Sequence, residues 1–274
     1  MLSVNTNTGA MIALQYLNKT GADLTQSQNV INTGLKVATA KDNGATYAIA
    51  QNMRANVAGF GAVTDSLNRG ISAVDVALSA SQSISDILIE MKTKALAAAD
   101  TSLDTASRQA MNQDFVALRD QITTIVKNAV FNGFNLVDGT TNSIQALASA
   151  DGIRKVTVAA QKLTLSGSII TVKTTSTIST LAKASAMITT IQTTLANVNS
   201  AQAKLASGAK KFSIQISFTG KLADTLTAGI GNLVDADMAK ESARLQSLQV
   251  KQQLGVQALS IANQAPQTIL SLFR

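Results

Sequence analysis

The chain has 274 residues, of which 23 are lysine or arginine and 16 are aspartate or glutamate, so its formal net charge is +7. It contains no cysteine, which excludes disulfides and thiolate metal sites, and no histidine, which removes the commonest general base and metal ligand. Hydrophobic residues make up 46% of the chain but aromatic residues only 3%, and there is a single proline, a composition that favours long helices packed along apolar seams.

The positive charge is scattered along the chain rather than gathered on a stripe. Only Lys210-Lys211 and Arg154-Lys155 are adjacent basic pairs, and no stacking aromatics accompany them, so nucleic-acid binding is not expected. No uninterrupted apolar run reaches the roughly 18 residues that a membrane span needs, so membrane insertion is not expected either. The N-terminus lacks a signal-peptide pattern, and any export is expected to proceed without a cleaved signal peptide.

The first predicted helix follows a seam that starts at Leu14. Apolar or small residues recur there in steps of three and four, which places them on one helix face. A helix of this length is marginal alone in water, so the seam needs a packing partner. The seam residues are Leu14, Leu17, Gly21, Leu24, Gln28, Ile31 and Leu35.

A polar connector containing a glycine breaks this seam. After it, a second helix is predicted to run to about Ala99. A third helix is expected to begin at an N-cap, Asp104 or Thr105, and to end at the turn signal Phe131-Asn132-Gly133. The connector residues are Ala40, Lys41, Asp42, Asn43 and Gly44.

One region, from Thr140 to about Thr175, has a sequence pattern typical of β-structure. Its short segments are rich in β-branched residues and partly alternate, and Asp151-Gly152 and Ser166-Gly167 are hairpin signals between them. The predicted strands are Ser143 to Ala148, Lys155 to Ala159, Gln161 to Leu165 and Ile169 to Lys173.

A fourth long helix is predicted from Leu181 to about Ile230. Within it, Phe212 to Phe218 alternates like a strand, but the three-four pattern stays in register on both sides. The continuous register favours helix over local strand propensity.

The final helix is predicted to follow an N-cap at Asp237, with Glu241 near its positive end. It carries two apolar stripes, separated by neutral amides, and no acidic residue after Glu241. Two stripes hold more apolar surface than one intramolecular partner covers, so this helix is expected to pack against other copies of the chain. The first stripe is Leu245, Leu248, Leu259, Ala262, Ile269 and Phe273; the second is Val250, Leu254, Ala258, Ile261, Ala265 and Leu272.

The first and last helices share their period and their sparse charge, so we expect them to pair. The elements together predict a mainly α fold, with long antiparallel helices in a coiled-coil-like bundle and a small β-hairpin region. On the residues alone, a self-contained helix bundle that does not polymerise is an equal alternative. Asp235 and Asp237 are expected to cap a helix rather than to bind metal, and no catalytic constellation is found, so no cofactor and no enzymatic activity are expected.

Six short motifs follow one another along the chain: Val4-Asn5-Thr6-Asn7, Ala40-Lys41-Asp42-Asn43-Gly44-Ala45, Gly70-Ile71-Ser72, Phe131-Asn132-Gly133, Asp235-Ala236-Asp237-Met238-Ala239-Lys240-Glu241 and Ala262-Asn263-Gln264-Ala265-Pro266-Gln267. Each is a weak signal alone, but in this order they cover nearly the whole chain. With them the chain resembles bacterial flagellin, the subunit of the flagellar filament, in a short form without outer variable domains.

The resemblance implies five segments. Residues 1–43 and 236–274 are expected to form an inner layer of paired helices around a central channel. Residues 44–140 and 177–235 are expected to form a surrounding helical body, and residues 141–176 its β-hairpin region. Subunit contacts in the filament core are expected at the leucine and isoleucine positions of the first seam and at Leu245, Leu248, Val250, Leu254, Leu259, Ile261, Ile269, Leu272 and Phe273. Gln253 and Gln257 are candidates for lining the channel.

The resemblance also implies a function. We expect a structural subunit that polymerises with other copies into a hollow extracellular filament for motility. Its other expected partners are the flagellar export apparatus, a chaperone, and the cap and junction proteins. In many flagellins an arginine-rich stretch of the second helix is read by an animal innate immune receptor; here Glu90 and Lys94 depart from that pattern, so poor receptor activation is expected.

Two other functions remain as alternatives. A hook–filament junction protein shares terminal heptads but does not repeat along the filament. A membrane-active helical protein would use its amphipathic ends on lipid, but amide-rich faces with few lysines or arginines offer little attraction to anionic lipid.

Overall fold

The computed structural model describes the backbone of residues 6–272 and the side chains of residues 6–264. Within this range the predicted mainly α fold is confirmed. The helices are α1 (Thr8–Thr33), α2 (Gly44–Ala98), α3 (Thr105–Asn128), α4 (Leu181–Val234) and α5 (Met238–Leu272). Two antiparallel hairpins lie between α3 and α4: β1 (Val130–Phe131) with β2 (Phe134–Asn135), and β3 (Ser143–Leu147) with β4 (Lys155–Ala159).

Side-chain caps begin the helices where the sequence predicts them. Asp104 accepts a hydrogen bond from the Ser107 amide at 3.0 Å, and Asp237 accepts from the Lys240 amide at 3.1 Å, so both predicted N-caps are confirmed. At the other end of α1, Gly34 adopts a left-handed φ of 72° and ends the helix. The seam was expected to include Leu35, but Leu35 lies beyond this cap.

The segment Phe212 to Phe218 is helical, as predicted, although its sequence alternates like a strand. Leu205, Phe212 and Thr219 are buried, and they lie seven residues apart on one helix face. The burial of this face over two heptads explains why the helical period prevails over local β propensity.

Two of the predicted strands, Gln161 to Leu165 and Ile169 to Lys173, are wrong, because these residues have irregular backbone. They make isolated hydrogen bonds instead of a ladder. The Leu163 amide donates to the Val137 carbonyl at 2.7 Å, so this segment bonds to the chain that follows β2.

The turn signal Asn132-Gly133 is confirmed, but it belongs to a hairpin that the sequence analysis did not predict. Asn132 and Gly133 have φ values of 48° and 83°, the left-handed pair that a tight two-residue hairpin turn requires. The flanking strands have only two residues each, too few for alternation to reveal them.

The chain forms two compact units. The terminal unit comprises Met1–Ala55 and Thr225–Arg274, and the central unit comprises Asn56–Asp224. The five-segment division of the chain stays a prediction. The apolar core of the central unit is made of buried side chains from α2, α3, α4 and the segment between α3 and α4. Its largest fully buried side chains are Leu67, Ile84, Leu88, Met91, Phe115, Ile122, Leu136, Leu163, Ile170, Ile178, Ile191 and Phe212.

The β3–β4 hairpin lies against α2 and α4 within the central unit. A Cβ on Gly59 would lie 2.8 Å from the Ala150 Cβ, and a Cβ on Gly208 would overlap the side chain of Val158, so both glycines permit close approach. The Leu147 amide also donates to the Ser66 hydroxyl at 3.1 Å. The hairpin therefore has a fixed position on the two helices.

Candidate assembly surface

Helices α1 and α5 pack against each other in antiparallel orientation, as predicted. Near the start of α1, the Asn7 amide nitrogen donates to the Ala262 carbonyl at 2.7 Å. Further along, Leu17 lies over Gly255, where an added Cβ would be 3.2 Å from the Leu17 Cδ1 atom. A move from Asn7 to Leu17 along α1 therefore corresponds to a move from Ala262 back to Gly255 along α5, as antiparallel packing requires.

Backbone hydrogen bonds join the two chain segments where α1 ends and α5 begins. The Ala236 amide donates to the Gly34 carbonyl at 2.9 Å, and the Lys36 amide donates to the Val234 carbonyl at 2.8 Å. Between them, Leu35 and Asp235 form an antiparallel bridge. Leu35 thus contributes to the pair through its backbone rather than through a helical seam.

The predicted connector is a compact turn held by two side chains. Asp42 accepts hydrogen bonds from the Thr39 amide at 2.8 Å and from the Ala38 amide at 3.1 Å. The bond from Thr39 is the main reason that the pKa of Asp42 lies below its usual value. Asn43 accepts from the Thr46 amide at 3.0 Å and so caps α2. The remaining connector residues, Ala40, Lys41 and Gly44, are exposed.

A buried polar pair lies inside the seam between α1 and α5. Ser27 is 1% exposed, and its hydroxyl donates a hydrogen bond to the Glu241 carboxylate. The Glu241 side chain is 14% exposed and lies 4.0 Å from the Arg244 guanidinium. A partly buried carboxylate needs such partners, so this pair favours one register of the two helices.

The first stripe of α5 is covered and the second is open. Leu248 is buried, and Leu245 and Leu259 are half-buried, on the face that contains Gly255. The second stripe lies about 130° away around the helix. Its described large residues, Val250, Leu254 and Ile261, are 54%, 57% and 69% exposed.

Helix α1 also leaves apolar side chains open. Leu17, Leu24 and Ile31 are half-buried as seam residues, but Leu14 is 47% exposed, because the covered face passes through Ala13 instead. Three more exposed apolar residues of α1 lie outside the predicted seam and were not predicted. They are Met11, Ile12 and Tyr16. Their large apolar side chains, next to a predicted seam, could have indicated a second apolar face of α1.

The remaining predicted site residues lie on exposed helix faces or outside the described part of the chain. Gln253, Gln257 and Glu90 are exposed. Lys94 forms an ion pair of 2.7 Å with Asp114, and this hydrogen bond raises the Lys94 pKa. The side chains of Ile269 and Leu272, and the whole of Phe273, lie outside the described residues.

None of the described helices has a stretch long and apolar enough to cross a membrane. In the same part of the chain, no three histidine, cysteine, aspartate or glutamate side chains are grouped as a metal site would require.

Comparisons with known proteins agree over almost the full length of the chain. Residues 4–142 match the family model of the bacterial flagellin N-terminal helical region, and residues 188–273 match that of the C-terminal helical region. Flagellin FljM of Caulobacter vibrioides is 56% identical over 99% of this chain and 98% of its own length. The flagellin of Brucella melitensis is 37% identical over the whole of both chains. The crystal structure of Bacillus cereus flagellin matches with a TM-score of 0.50 and 24% identity, over 56% of this chain and 88% of that one, which shows a similar fold.

Proposed function

This chain belongs to the bacterial flagellin family, whose members are structural subunits of the flagellar filament, and we propose that it polymerises through the open stripe of its paired terminal helices. The observation that carries this proposal is the exposure of Val250, Leu254 and Ile261 beside a stripe already covered by α1. Burial of one such side chain contributes about 1.5–3 kcal/mol. Neighbouring copies of the chain would supply that burial.

The partly covered seam also suggests that folding of the terminal unit is coupled to assembly. Within the described part of these two helices, the only buried residues are Ser27 in α1 and Leu248 in α5. A helix pair with so little buried surface gains most of its apolar packing from neighbours in a polymer. We therefore expect the terminal unit to be less stable in the free subunit than in the filament.

The further roles rest on membership of the family. We propose that the chain leaves the cell through the flagellar export apparatus without a cleaved signal peptide and works outside the cell. A chaperone, the cap and the junction proteins would be its other partners. The amide face with Gln253 and Gln257 would line the channel, and we expect no catalytic activity, because the family is one of structural proteins.

Seeded polymerisation tests the proposed surface. Purified subunit is mixed with short filament fragments, and elongation is followed by electron microscopy. Leu254→Glu places one negative charge in the open stripe, and Gln249→Glu places the same charge on the exposed amide face of α5 as a matched control. Circular dichroism establishes that both subunits keep their helical content.

We expect elongation with the unsubstituted protein and with Gln249→Glu, and none with Leu254→Glu. Equal elongation by both variants would exclude the open stripe as the interface. Subunits that only decorate the ends of the seeds would instead identify a junction-type protein.

A further inference from the structure

The turn between β3 and β4, here called the hairpin tip (residues 148–154), presents an apolar side chain on a rigid backbone. Ile153 is 79% exposed, the largest value among the described large apolar residues. Its amide donates to the Asp151 carboxylate at 3.0 Å, and the Arg154 amide donates to the Ser149 hydroxyl at 3.1 Å. An exposed isoleucine on a backbone held in this way loses little conformational entropy when it binds.

The hairpin tip is also held to the helices behind it. The Gln215 side chain donates to the Ala148 carbonyl at 3.1 Å, and Ala150 packs against Gly59 of α2. These contacts use the inner side of the tip and leave Ile153 outside. The fold of the chain therefore gives no intramolecular role to the Ile153 side chain.

The same central unit contains a cavity of about 360 Å³ that fits such a side chain. We call it the aromatic pocket and define it by Phe131 and Phe134 at the β1–β2 hairpin, Ile144 of β3, and Arg69 of α2. Phe134 is half exposed, so apolar surface is open to solvent at this place. The pocket is preformed, because its walls belong to a hairpin, a strand and a helix.

Arg69 gives the aromatic pocket a charge preference. Within the described chain the Arg69 guanidinium has no hydrogen bond and no ion pair. On the hairpin tip, Asp151 accepts its bonds through Oδ1, so Oδ2 can accept from a partner. The isoleucine of the tip matches the aromatic wall of the pocket, and the Asp151 carboxylate, which also lies near Arg154, can pair with the Arg69 guanidinium.

The tip cannot reach the pocket of its own chain. Ala150 contacts α2 at Gly59, whereas Arg69 lies ten residues further along that helix, about 15 Å away. We propose that the hairpin tip of one copy inserts Ile153 into the aromatic pocket of a second copy, with Asp151 facing Arg69. Because tip and pocket are different surfaces of one chain, this contact is heterologous and builds an open polymer. The inference rests on the proposed polymerisation of the chain.

Site-specific cross-linking tests the contact, since the chain has no native cysteine. Ile153→Cys and Phe134→Cys are made as separate proteins, mixed with an excess of unsubstituted chain, polymerised on seeds and treated with a short bismaleimide. We expect a cross-linked dimer in filaments that contain both variants, and none in filaments that contain either variant alone. A mixture of Leu96→Cys with Phe134→Cys is the matched control, because Leu96 is also highly exposed.

Filaments of the Ile153→Cys and Phe134→Cys mixture that yield no more dimer than the Leu96 control would overturn the inference. Failure of the unsubstituted chain to form filaments would instead refute the proposed function itself, so the two failures are distinguishable.

Charge reversal provides a second measurement. Arg69→Glu should raise the critical concentration for elongation about tenfold, because it places a carboxylate opposite Asp151. Lys204→Glu makes the same charge change at an exposed position of α4 and should have a smaller effect. Equal effects of the two reversals would contradict a specific contact at Arg69.

Discussion

The hydroxyl of Ser27 donates a hydrogen bond to the carboxylate of Glu241 across the seam between α1 and α5. The two residues lie 214 positions apart, so this bond joins distant parts of the chain. It holds a partly buried carboxylate in the seam and so favours one alignment of the two helices.

Removal of the hydroxyl should weaken the helix pair. Ser27→Ala leaves Glu241 without its donor, and the expected cost is about 1.5–3 kcal/mol, because hydrogen bonds to charged groups fall in this range. Faster amide hydrogen exchange in α1 would measure it. The double variant Ser27→Ala with Glu241→Ala should lie closer to the unsubstituted protein, since no carboxylate is left unpaired. A double variant with fully additive loss would contradict this account.

A larger side chain at position 255 should also separate the helices. Gly255→Leu collides with Leu17 and should cost about 1–3 kcal/mol by overpacking, measured by urea unfolding of the subunit. Leu17→Ala in the same protein should recover part of the loss. Gly21→Ala is the control, because nothing lies within 4 Å of a Cβ there and the helix should gain about 0.5–1 kcal/mol. If Gly21→Ala lowers the free energy of unfolding as much as Gly255→Leu does, the contact between Gly255 and Leu17 is not the cause of the loss.

Positive charge on the amide face should hinder transport through the filament. If Gln253 and Gln257 line the channel, lysines at both positions would interact with charged chains in transit and shorten the filaments that cells assemble. Filament lengths measured by electron microscopy test this, with asparagine at both positions as the neutral control. If filaments of the variant with both lysines have unchanged length, Gln253 and Gln257 do not line the channel.

The ion pair between Lys94 of α2 and Asp114 of α3 should limit recognition by the innate immune receptor. Lys94 is held by Asp114, and Glu90 is exposed one helical turn before it. We expect the unsubstituted subunit to be a poor activator in a reporter-cell assay, and Glu90→Arg with Lys94→Leu to increase the signal. Glu90→Gln with Lys94→Arg should stay weak. Potent signalling by the unsubstituted subunit would contradict this prediction.

The connector should become less stable in acid. Hydrogen bonds from the Thr39 amide and hydroxyl and from the Ala38 amide lower the pKa of Asp42 below its model-compound value of 3.8. The folded carboxylate therefore contributes stability above pH 3.8, and that contribution falls as the pH drops through the folded pKa. NMR titration of the Asp42 carboxyl and of the Thr39 amide measures the effect. Asp42→Asn should abolish the acid transition of the amide, and a midpoint above 3.8 would contradict the sign.

The helices were predictable because apolar residues recur in steps of three and four over many turns of each one. The strand-like stretch from Phe212 was assigned correctly, since the residues buried on α4 continue in the same frame before and after it. The caps at Asp104 and Asp237 were equally clear, because a cap is a local interaction between a side chain and a nearby backbone amide. Information of this kind is contained in a short window of sequence.

The pairing of α1 with α5 was predictable from their shared period, but the contacts of individual residues with distant partners were not. The segment from Gln161 resembles a strand, but its amides bond to carbonyls of Leu136 and Val137, whose position depends on the folded β1–β2 hairpin. The expected seam through Leu14 was displaced toward Ala13 for the same reason, since α5 determines which face of α1 is covered. The aromatic pocket also had no linear signature, because its walls come from segments more than sixty residues apart.

The pairing of α1 with α5 makes the terminal unit sensitive to the order in which the chain is delivered. Asn7 and Ala262 are separated by 255 positions, so a chain that enters a compartment from either end presents one of these helices long before the other. Single helices form in about a microsecond, and closing a longer loop adds only a logarithmic entropy cost. Completion of the unit is therefore timed by the arrival of the trailing segment. Until then the leading helix has no partner helix, and its apolar face can bind to other surfaces.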